Sequence, residues 1–246
     1  MTDAPITLDQ LSHIFYAIGT GLSVEERAGM RIPAYLFGLD VGAPLLDEQQ
    51  TQNNKAVYYS SAQLTTQHRI EELTGQQLLI VANFPRKQIG KMKSDALVTG
   101  VQNPRIPYEQ RYQTTVAVGP SEAVAPGALV SITPGNHETV IQSNPRNLEW
   151  SLFTAAKVCV GTVIDASNPA CLLVDYGPEG IIETLTNWPA APDSLLRKQV
   201  LALMNLHHDD VFDCFGRKGR YGVILSPRKG VYLTPLKPVE NGYGLA

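Results

Sequence analysis

The sequence contains little cysteine, and the pattern excludes two uses of that residue. Among 246 residues the three cysteines are Cys159, Cys171 and Cys214, an odd number that is never spaced as C-x-x-C. This pattern predicts neither a disulfide framework nor a thiolate metal site. Thiols that act as small buried apolar groups are the simpler interpretation. They are typical of a reducing compartment, so we expect a cytoplasmic protein.

Charge of one sign and long apolar runs are also missing. Twenty basic residues against 23 acidic ones give a formal charge of −3, which excludes binding of nucleic acid through overall basicity. No apolar run reaches the length of about 18 residues that a membrane helix needs, so we expect no membrane insertion. The N-terminus lacks the basic and apolar regions of a secretory signal. With 43% apolar residues, the composition is that of a folded globular protein.

Standard catalytic and phosphate-binding motifs are absent as well. The sequence has no G-x-G-x-x-G after a strand, no P-loop, no H-E-x-x-H and no G-x-S-x-G. We therefore expect a protein that is not an enzyme and needs no cofactor. One cluster offers metal-ligand chemistry: His207, His208, Asp209, Asp210 and Asp213. Adjacent residues of an extended chain point to opposite faces, so we favour a polar loop over a metal site there.

The sequence does contain 20 glycines and 17 prolines, spread between short apolar runs, which favours many short strands. Thr7 and Gln10 form a capping-box pattern that predicts an N-terminal helix, and a helical turn is predicted at 70–73. Strands are predicted at 34–41, 56–62, 77–83, 96–101, 114–118 and 129–132. After a turn-rich stretch at 134–147, a second series is predicted at 157–164, 171–175, 181–186, 200–205, 221–225 and 231–234, with a helical turn at 192–196.

The two series of strands share an ordered set of residues. The matched pairs are Gly19-Thr20 with Gly161-Thr162, Leu39-Asp40 with Val174-Asp175, Leu64-Thr65 with Leu185-Thr186, 79–83 with 201–205, and Pro120 with Pro235. We interpret this order as an internal duplication, with two unrelated small β domains as the alternative. The sequence thus predicts an all-β protein with short helices, built from two tandem OB-fold-like β-barrels at 1–135 and 146–246.

The segment 78–100 carries the strongest local charge pattern. An apolar strand ends at Asn83, and four cations follow within eight residues that contain no acid. Such a loop offers charge-assisted donors to phosphate oxygens, and neutral side chains beside it can add hydrogen bonds. A solvated surface without a ligand is the alternative. The candidate phosphate-binding residues are Asn83, Arg86, Lys87, Lys91, Lys93 and Ser94.

This segment resembles the tRNA-binding OB domain of some methionyl-tRNA synthetases and of free-standing dimeric tRNA-binding proteins. The likeness is strongest to the CsaA type, described as a secretion-related chaperone. It extends through LDVG at 39–42, SSAQLT at 60–65 and EELTG at 71–75, and covers about the first 130 residues. The resemblance implies an OB barrel that binds tRNA, with Asn83, Lys93 and Ser94 at matching positions. Lys87 stands where the family has Arg, and Lys91 where it usually has Gly.

The second copy keeps the frame and loses the basic motif. Acids at 209, 210 and 213 replace its cations, and three acids repel phosphate. Arg217, Lys218 and Arg220 follow and could compensate in part, but we expect a mainly structural second barrel. Because CsaA-like proteins form homodimers, the resemblance implies that the fused copies form an intramolecular pseudo-dimer.

We therefore expect a non-catalytic RNA-binding protein whose partner is tRNA or another structured RNA, read through shape and phosphates. A CsaA-like chaperone for unfolded or preprotein peptides is the alternative. Such a protein would use an apolar cleft between the barrels, lined by Phe84, Met92, Tyr58 and Tyr59. A scaffold protein without either activity is a third interpretation. Trp150 and Trp188 are expected in the core or between the barrels.

Overall fold

The computed structural model describes residues 4–27, 32–42, 50–52, 55–89, 92–132, 146–186, 188, 195–228 and 230–246. Within these ranges the chain is mostly β structure with a few short helices. None of the helices in this part of the chain combines the length and the apolar character needed to cross a bilayer.

The strands fall into two series along the chain. The first comprises β1 (Tyr16–Arg27), β2 (Ala34–Asp40), β3 (Gln50–Gln52), β4 (Lys55–Ala62), β5 (Gln77–Val81), β6 (Lys87–Ile89), β7 (Met92–Ser94), β8 (Leu97–Val98), β9 (Gly100–Gln102) and β10 (Val116–Pro120). The second comprises β11 (Val158–Asp165), β12 (Cys171–Asp175), β13 (Ile181–Leu185), β14 (Gln199–Leu203), β15 (Gly222–Ile224), β16 (Leu233–Pro235) and β17 (Gly244–Leu245). The α-helices are α1 (Leu8–Ser12), α2 (Ile70–Leu73), α3 (Trp150–Ala155) and α4 (His208–Phe215), with 3-10 turns at Tyr108–Thr114 and Gly177–Glu179.

The second series forms a closed five-stranded barrel. Strand β11 pairs with β12, β12 with β13, β13 with β15 in parallel, β15 with β14, and β14 with β11 again. This order of mainly antiparallel strands is that of an OB barrel. The predicted fold is therefore confirmed here.

The first series has the same order, with β1, β2, β4, β5 and β8 in the five barrel positions. Here β4 and β8 do not form a continuous ladder. Individual hydrogen bonds join β4 to β8 and to the residues before it. The Ser60 hydroxyl accepts from the Val98 N–H at 3.1 Å, the Asp95 carboxylate accepts from the Tyr59 N–H at 3.0 Å, and the Tyr59 carbonyl accepts from the Asp95 N–H at 2.7 Å. The first barrel is thus a curled sheet that side-chain and backbone hydrogen bonds close.

Paired side chains show that the two barrels repeat each other. The Gln77 amide donates to the Val124 carbonyl and accepts from the Val124 N–H, and Gln199 makes the same two bonds with Val239. The Asp40 carboxylate accepts from the Gly42 N–H at 2.8 Å, as the Asp175 carboxylate does from Gly177. These matches of residue, partner and distance support an internal duplication.

One pair in the repeat is out of register. Strand β4 pairs Leu39 with Tyr58, and strand β13 pairs Val174 with Ile182. These pairings make Tyr58 equivalent to Ile182. Three residues further along both strands, the residue of the first copy that is equivalent to Leu185 is therefore Ser61 and not Leu64. The match of Leu64-Thr65 to Leu185-Thr186 was therefore wrong. The first copy has a Leu-Thr pair by chance three residues after the equivalent position.

The central strands are buried on both faces, which explains their continuous apolar runs. In β1, Ala17 faces the core of the first barrel, whereas Tyr16 and Ile18 face the second barrel. In β11, Cys159 faces its own barrel core and Val158 faces the other. The apolar cluster between the barrels is the largest in the described part of the chain, so the two halves form an intramolecular pseudo-dimer.

The pseudo-dimer is also joined through its backbone. Strands β10 and β16, which occupy equivalent places in the two copies, pair with Val118 opposite Pro235 and Pro120 opposite Leu233. Pro120 is equivalent to Pro235 in the repeat, and Val118 is equivalent to Leu233. Each residue of one strand therefore pairs with the same partner type as its equivalent in the other strand, as a two-fold axis through the Gly119–Thr234 pair requires.

Most predicted strands are present within one to three residues of their expected ends, and α1 has the predicted capping box. The longest strand, β1, was missed. The predicted turns at 192–196 lie mostly outside the described residues, as does most of the joining stretch at 134–147. The division at 135 and 146 remains a prediction.

Candidate nucleic-acid interface

Asn83 supports the loop after β5 and does not face solvent. Its amide oxygen accepts a hydrogen bond from the Phe15 N–H at 3.0 Å, and its amide nitrogen donates to the His13 carbonyl at 2.8 Å. The side chain is fully buried. Asn205 makes the equivalent bonds with Lys157 and Ala155 in the second barrel, where no basic loop follows. Both asparagines therefore hold the start of a strand, and Asn83 acts on a ligand only through the loop it positions.

Strands β6 and β7 form a two-stranded hairpin, which we call the basic hairpin. Its register places Lys87 opposite Ser94 and Gln88 opposite Lys93. Because side chains alternate between the faces of a ribbon, Lys87 and Lys93 lie on opposite faces. Both lysines are exposed to solvent. The Ser94 hydroxyl donates to the Ala96 carbonyl at 3.0 Å, so it already has one partner.

Lys91, at the tip of this hairpin, lies outside the described residues. The hairpin thus brings Lys87 and Ser94 to one face and sets Lys93 on the other, instead of gathering the predicted cations in one place.

Arg86 anchors the base of the basic hairpin. Its Nε lies 3.0 Å from the Asp95 Oδ1, and the Asp95 carboxylate is almost fully buried. The other carboxylate oxygen accepts the hydrogen bond from Tyr59 that helps to close the barrel. A charge-assisted bond of this kind fixes where the hairpin begins. Arg86 retains about a quarter of its side-chain exposure, so part of the guanidinium still faces solvent.

Arg146, from the segment that precedes the second barrel, reaches the same place. Its Nη1 donates to the Asp95 carbonyl at 2.5 Å and to the Ala82 carbonyl at 3.1 Å, and its guanidinium lies 5.2 Å from the centre of the Tyr58 ring. Burial lowers the pKa of Arg146 from its ordinary value, and the nearby cation Arg86 lowers it further.

Two of the guanidinium nitrogens of Arg146, Nε and Nη2, are buried without an acceptor among the described residues. No sequence pattern near Arg146 indicates this position, because only the docking of the two halves creates it.

An aromatic cluster adjoins the hairpin. Trp150 is 52% exposed, so it is not a core residue, but it packs between the two halves of the chain, which is the other position expected for it. Its ring packs on Phe84, with ring centres 5.6 Å apart, and on Phe153 at 5.2 Å. Trp188 is buried against Tyr232, as expected.

The side chains proposed to line a peptide cleft do not share one surface. Tyr58 is buried in the first barrel beneath Arg146, whereas Tyr59 and Phe84 are partly exposed. The side chain of Met92 lies outside the described part of the structure. Phe84 instead belongs to the aromatic cluster with Trp150.

The second barrel replaces the hairpin with helix α4. His207 caps the helix by accepting the Asp209 N–H, the acids Asp209 and Asp210 lie in the first turn, and Gly216 ends it with a left-handed backbone. Acids in a first turn complement the helix dipole. The Asp210 carboxylate also accepts from the Leu8 N–H at 2.9 Å, which ties the helix to α1.

The predicted separation of the two histidines was wrong, because they lie at a helix start and not on a strand. Their rings are 4.3 Å apart, and His208 Nε2 lies 3.2 Å from an Asp209 carboxylate oxygen. One ligand atom from each of His207, His208 and Asp209 lies within 4.8 Å of the others. These residues could hold a metal ion, although His207 Nδ1 already accepts the Asp209 N–H of the helix cap.

With this geometry established, known proteins can be compared with it. The chain is similar to CsaA chaperones. A CsaA structure from Bacillus anthracis str. Ames shares 29% identity, covers 52% of this chain and 100% of its own, and has a TM-score of 0.42. A CsaA protein from Picrophilus torridus shares 25% identity over 51% of this chain and 99% of its own, with a TM-score of 0.41.

The C-terminal domain of Plasmodium vivax p43 shares 16% identity over 72% of this chain and 94% of its own, with a TM-score of 0.47. No protein-family model matches the chain.

Proposed function

We propose that this chain is a non-catalytic RNA-binding protein that binds tRNA or a similar structured RNA through the basic hairpin of its first barrel. The observation that carries the proposal is the pair of exposed lysines, Lys87 and Lys93, on opposite faces of one narrow hairpin. Neither half of the chain is basic overall, so affinity for phosphate must come from a local group of cations.

The arrangement favours shape recognition over the reading of bases. A ribbon with a cation on each face can lie between two rows of phosphates and bind both. Duplex RNA offers such paired rows, and its deep major groove leaves little of the base edges to read. Arg86 supports this role indirectly, because its bond to the buried Asp95 keeps the hairpin against the barrel.

The proposal also covers the organisation and the location of the protein. We propose that the binding unit spans 1–135, that 146–246 is its divergent copy, and that the protein acts in the cytoplasm. The second copy is mainly structural in this proposal, because acids occupy the start of α4 and would repel phosphate.

The test is binding of tRNA at several salt concentrations by the full chain and by the double variant Lys87→Glu, Lys93→Glu. These lysines suit the test because both side chains are exposed and neither forms an ion pair with a buried group among the described residues. Substitution of Arg86, in contrast, would remove the ion pair of the buried Asp95 carboxylate. We expect a loss of at least about tenfold in affinity, and a salt slope that is shallower by about 1.8, the value for two phosphate contacts on a duplex.

The matched control is Lys198→Glu with Arg217→Glu, which makes the same change of charge on the second barrel. It should leave tRNA binding nearly unchanged. Equal losses in the two double variants would show that only overall charge matters, and would contradict a site at the hairpin.

Binding of unfolded peptides is the second candidate function, and the exposure of Trp150 beside the partly exposed Phe84 is the observation that favours it. Binding of a reduced and alkylated protein by the full chain, unaffected by salt and by the lysine variants, would support this function in place of RNA binding.

A further inference from the structure

Trp150 is exposed although it lies in the middle of an aromatic cluster. It is the first residue of α3, and its ring rests on Phe84 and Phe153 while more than half of its surface faces solvent. Phe153 is buried and meets Phe84 edge-on at 5.7 Å, so the indole has a rigid support beneath it. A supported aromatic face open to solvent is the form of a stacking platform for a nucleic-acid base.

The platform rests on the residues that lead into the basic hairpin. The chain leading into α3 runs along the end of β5, where the Leu148 N–H donates to the Asn83 carbonyl at 3.2 Å. Phe84, on which Trp150 rests, comes two residues before Arg86. Arg146 and Arg86 both bind Asp95, one through its carbonyl and the other through its carboxylate. The second half of the chain thus adds an aromatic side chain to the site of the first.

The second barrel shows that packing alone does not require the aromatic pair. In the repeat, Trp150 corresponds to Leu8, and Phe84, which follows Asn83, corresponds to Leu206, which follows Asn205. Leu206 is buried and Leu8 partly so, and both pack in the cluster between the barrels. Two leucines, Leu8 and Leu206, therefore suffice to pack α1 against the second barrel. The aromatic pair occurs where the neighbouring loop is basic, and the aliphatic pair where it is acidic.

We propose that Trp150 stacks an unpaired base of the RNA whose phosphates the basic hairpin binds. The ligand would therefore include a single-stranded nucleotide next to its structured part. This inference rests on the proposed function of the hairpin. The acidic residue Glu149, whose carboxylate accepts from the Ser151 hydroxyl at 3.2 Å, lies next to the platform. An uncharged base is favoured over a phosphate at that position, because a phosphate would be repelled.

The experiment compares two RNA probes on the full chain: a short blunt duplex and the same duplex with a single-stranded tail. The variants are Trp150→Leu, which installs the residue found at the equivalent position, Leu8 of the first copy, and Trp150→Phe, which keeps an aromatic face. Stacking on one aromatic side chain is worth a fold-change in affinity of between about 5 and about 140. Trp150→Leu should lose that factor for the tailed probe alone and bind the blunt duplex as before. Trp150→Phe should keep most of the affinity.

Tryptophan fluorescence gives a readout that does not depend on affinity. The chain has two tryptophans, and Trp188 is buried in the second barrel, so quenching by a stacked base reports on Trp150. The tailed probe should quench the emission of the native chain, and the blunt probe should not. The quenching should disappear in Trp150→Phe, in which Trp188 alone remains.

The outcomes separate this inference from the proposed function. If neither probe binds, the RNA-binding function itself fails. If both probes bind and Trp150→Leu has no effect, or the tail causes no quenching, the stacking role is overturned while the hairpin site stands. Quenching by an unfolded protein and not by the tailed RNA would assign the platform to peptides and would overturn the inference.

Discussion

The two barrels are most alike at the buried side chains that hydrogen-bond the backbone, and they differ most at the surface where a ligand could bind. The asparagine after the fourth barrel strand holds the start of the first strand in both copies, through the same pair of hydrogen bonds. Directly after it, one copy has a basic hairpin and the other an acidic helix. A shared frame therefore permits opposite surface chemistry, because the frame depends on residues that do not reach the surface.

The largest expected effect is on the asparagines themselves. Asn83→Ala takes the side-chain partner from the buried Phe15 N–H and from the partly buried His13 carbonyl, and we expect the free energy of unfolding to fall by about 3 kcal/mol. Asn205→Ala removes the equivalent bonds at a partly exposed position and should cost about half as much. Denaturant unfolding of the full chain measures both. A larger loss at Asn205 would show that the copies do not share one frame in energetic terms.

The second prediction concerns a contact that crosses from one copy to the other. His68 is buried, and its Nε2 accepts the Ala117 N–H at 3.0 Å. Burial and the Lys237 ammonium lower the pKa of His68 to about 4, against 6.5 as the ordinary value. The unfolded chain therefore takes up the proton first as the pH falls. Stability is fully present above about pH 6.5 and is lost towards pH 4, by about 3 kcal/mol in all.

The variant His68→Gln, which keeps an acceptor but cannot be protonated there, should flatten the dependence of unfolding free energy on pH over this interval. Lys237 acts in a lower window, because its bond lowers the pKa of Glu72 to about 2. Lys237→Ala should remove the part of the stability that is lost between about pH 4.5 and pH 2, and should also narrow the His68 window, because the ammonium no longer lowers the pKa of His68. A profile from His68→Gln that matches the native profile would contradict the assignment.

The smallest expected effect tests whether charge alone separates the copies. Asp209→Lys with Asp213→Lys reverses two acids of α4, and we expect tRNA affinity at low salt to rise by no more than about threefold, from general electrostatic attraction. In the background of Lys87→Glu with Lys93→Glu, the same change should not restore binding. Full restoration would mean that a helix presents the cations as well as a hairpin does.

The fold was largely predictable because its central strands are apolar on both faces. Runs such as 77–81, which Gly75 and Pro85 bound, and 199–203 have few other interpretations. Strand β1 was missed because Gly19, Gly21 and the charged end at 25–27 interrupt its apolar pattern. Helix α4 did have sequence signals, since acids follow its cap and Gly216 ends it. It was not predicted because the repeat aligns this segment with the basic loop of the first copy.

The candidate site was less predictable, for a physical reason. Lys87 and Lys93 can be found from charge, but their placement on opposite faces depends on the register of the hairpin. Arg146 and Trp150 reach the site only because the two halves dock, so no local pattern around either residue indicates it. A site assembled from distant segments needs the tertiary arrangement to be known.

The pairing of β10 with β16 has a consequence for how this molecule responds to dilution. In a dimer of separate chains, such a symmetric strand pair would form only above a certain protein concentration, and stability would change with concentration. Here both strands belong to one chain, so the contact is intramolecular and its strength is independent of how much protein is present. The second barrel can therefore lack the basic hairpin without two such barrels pairing with each other, as they could in a dimer of separate chains. Every molecule then carries a single basic hairpin.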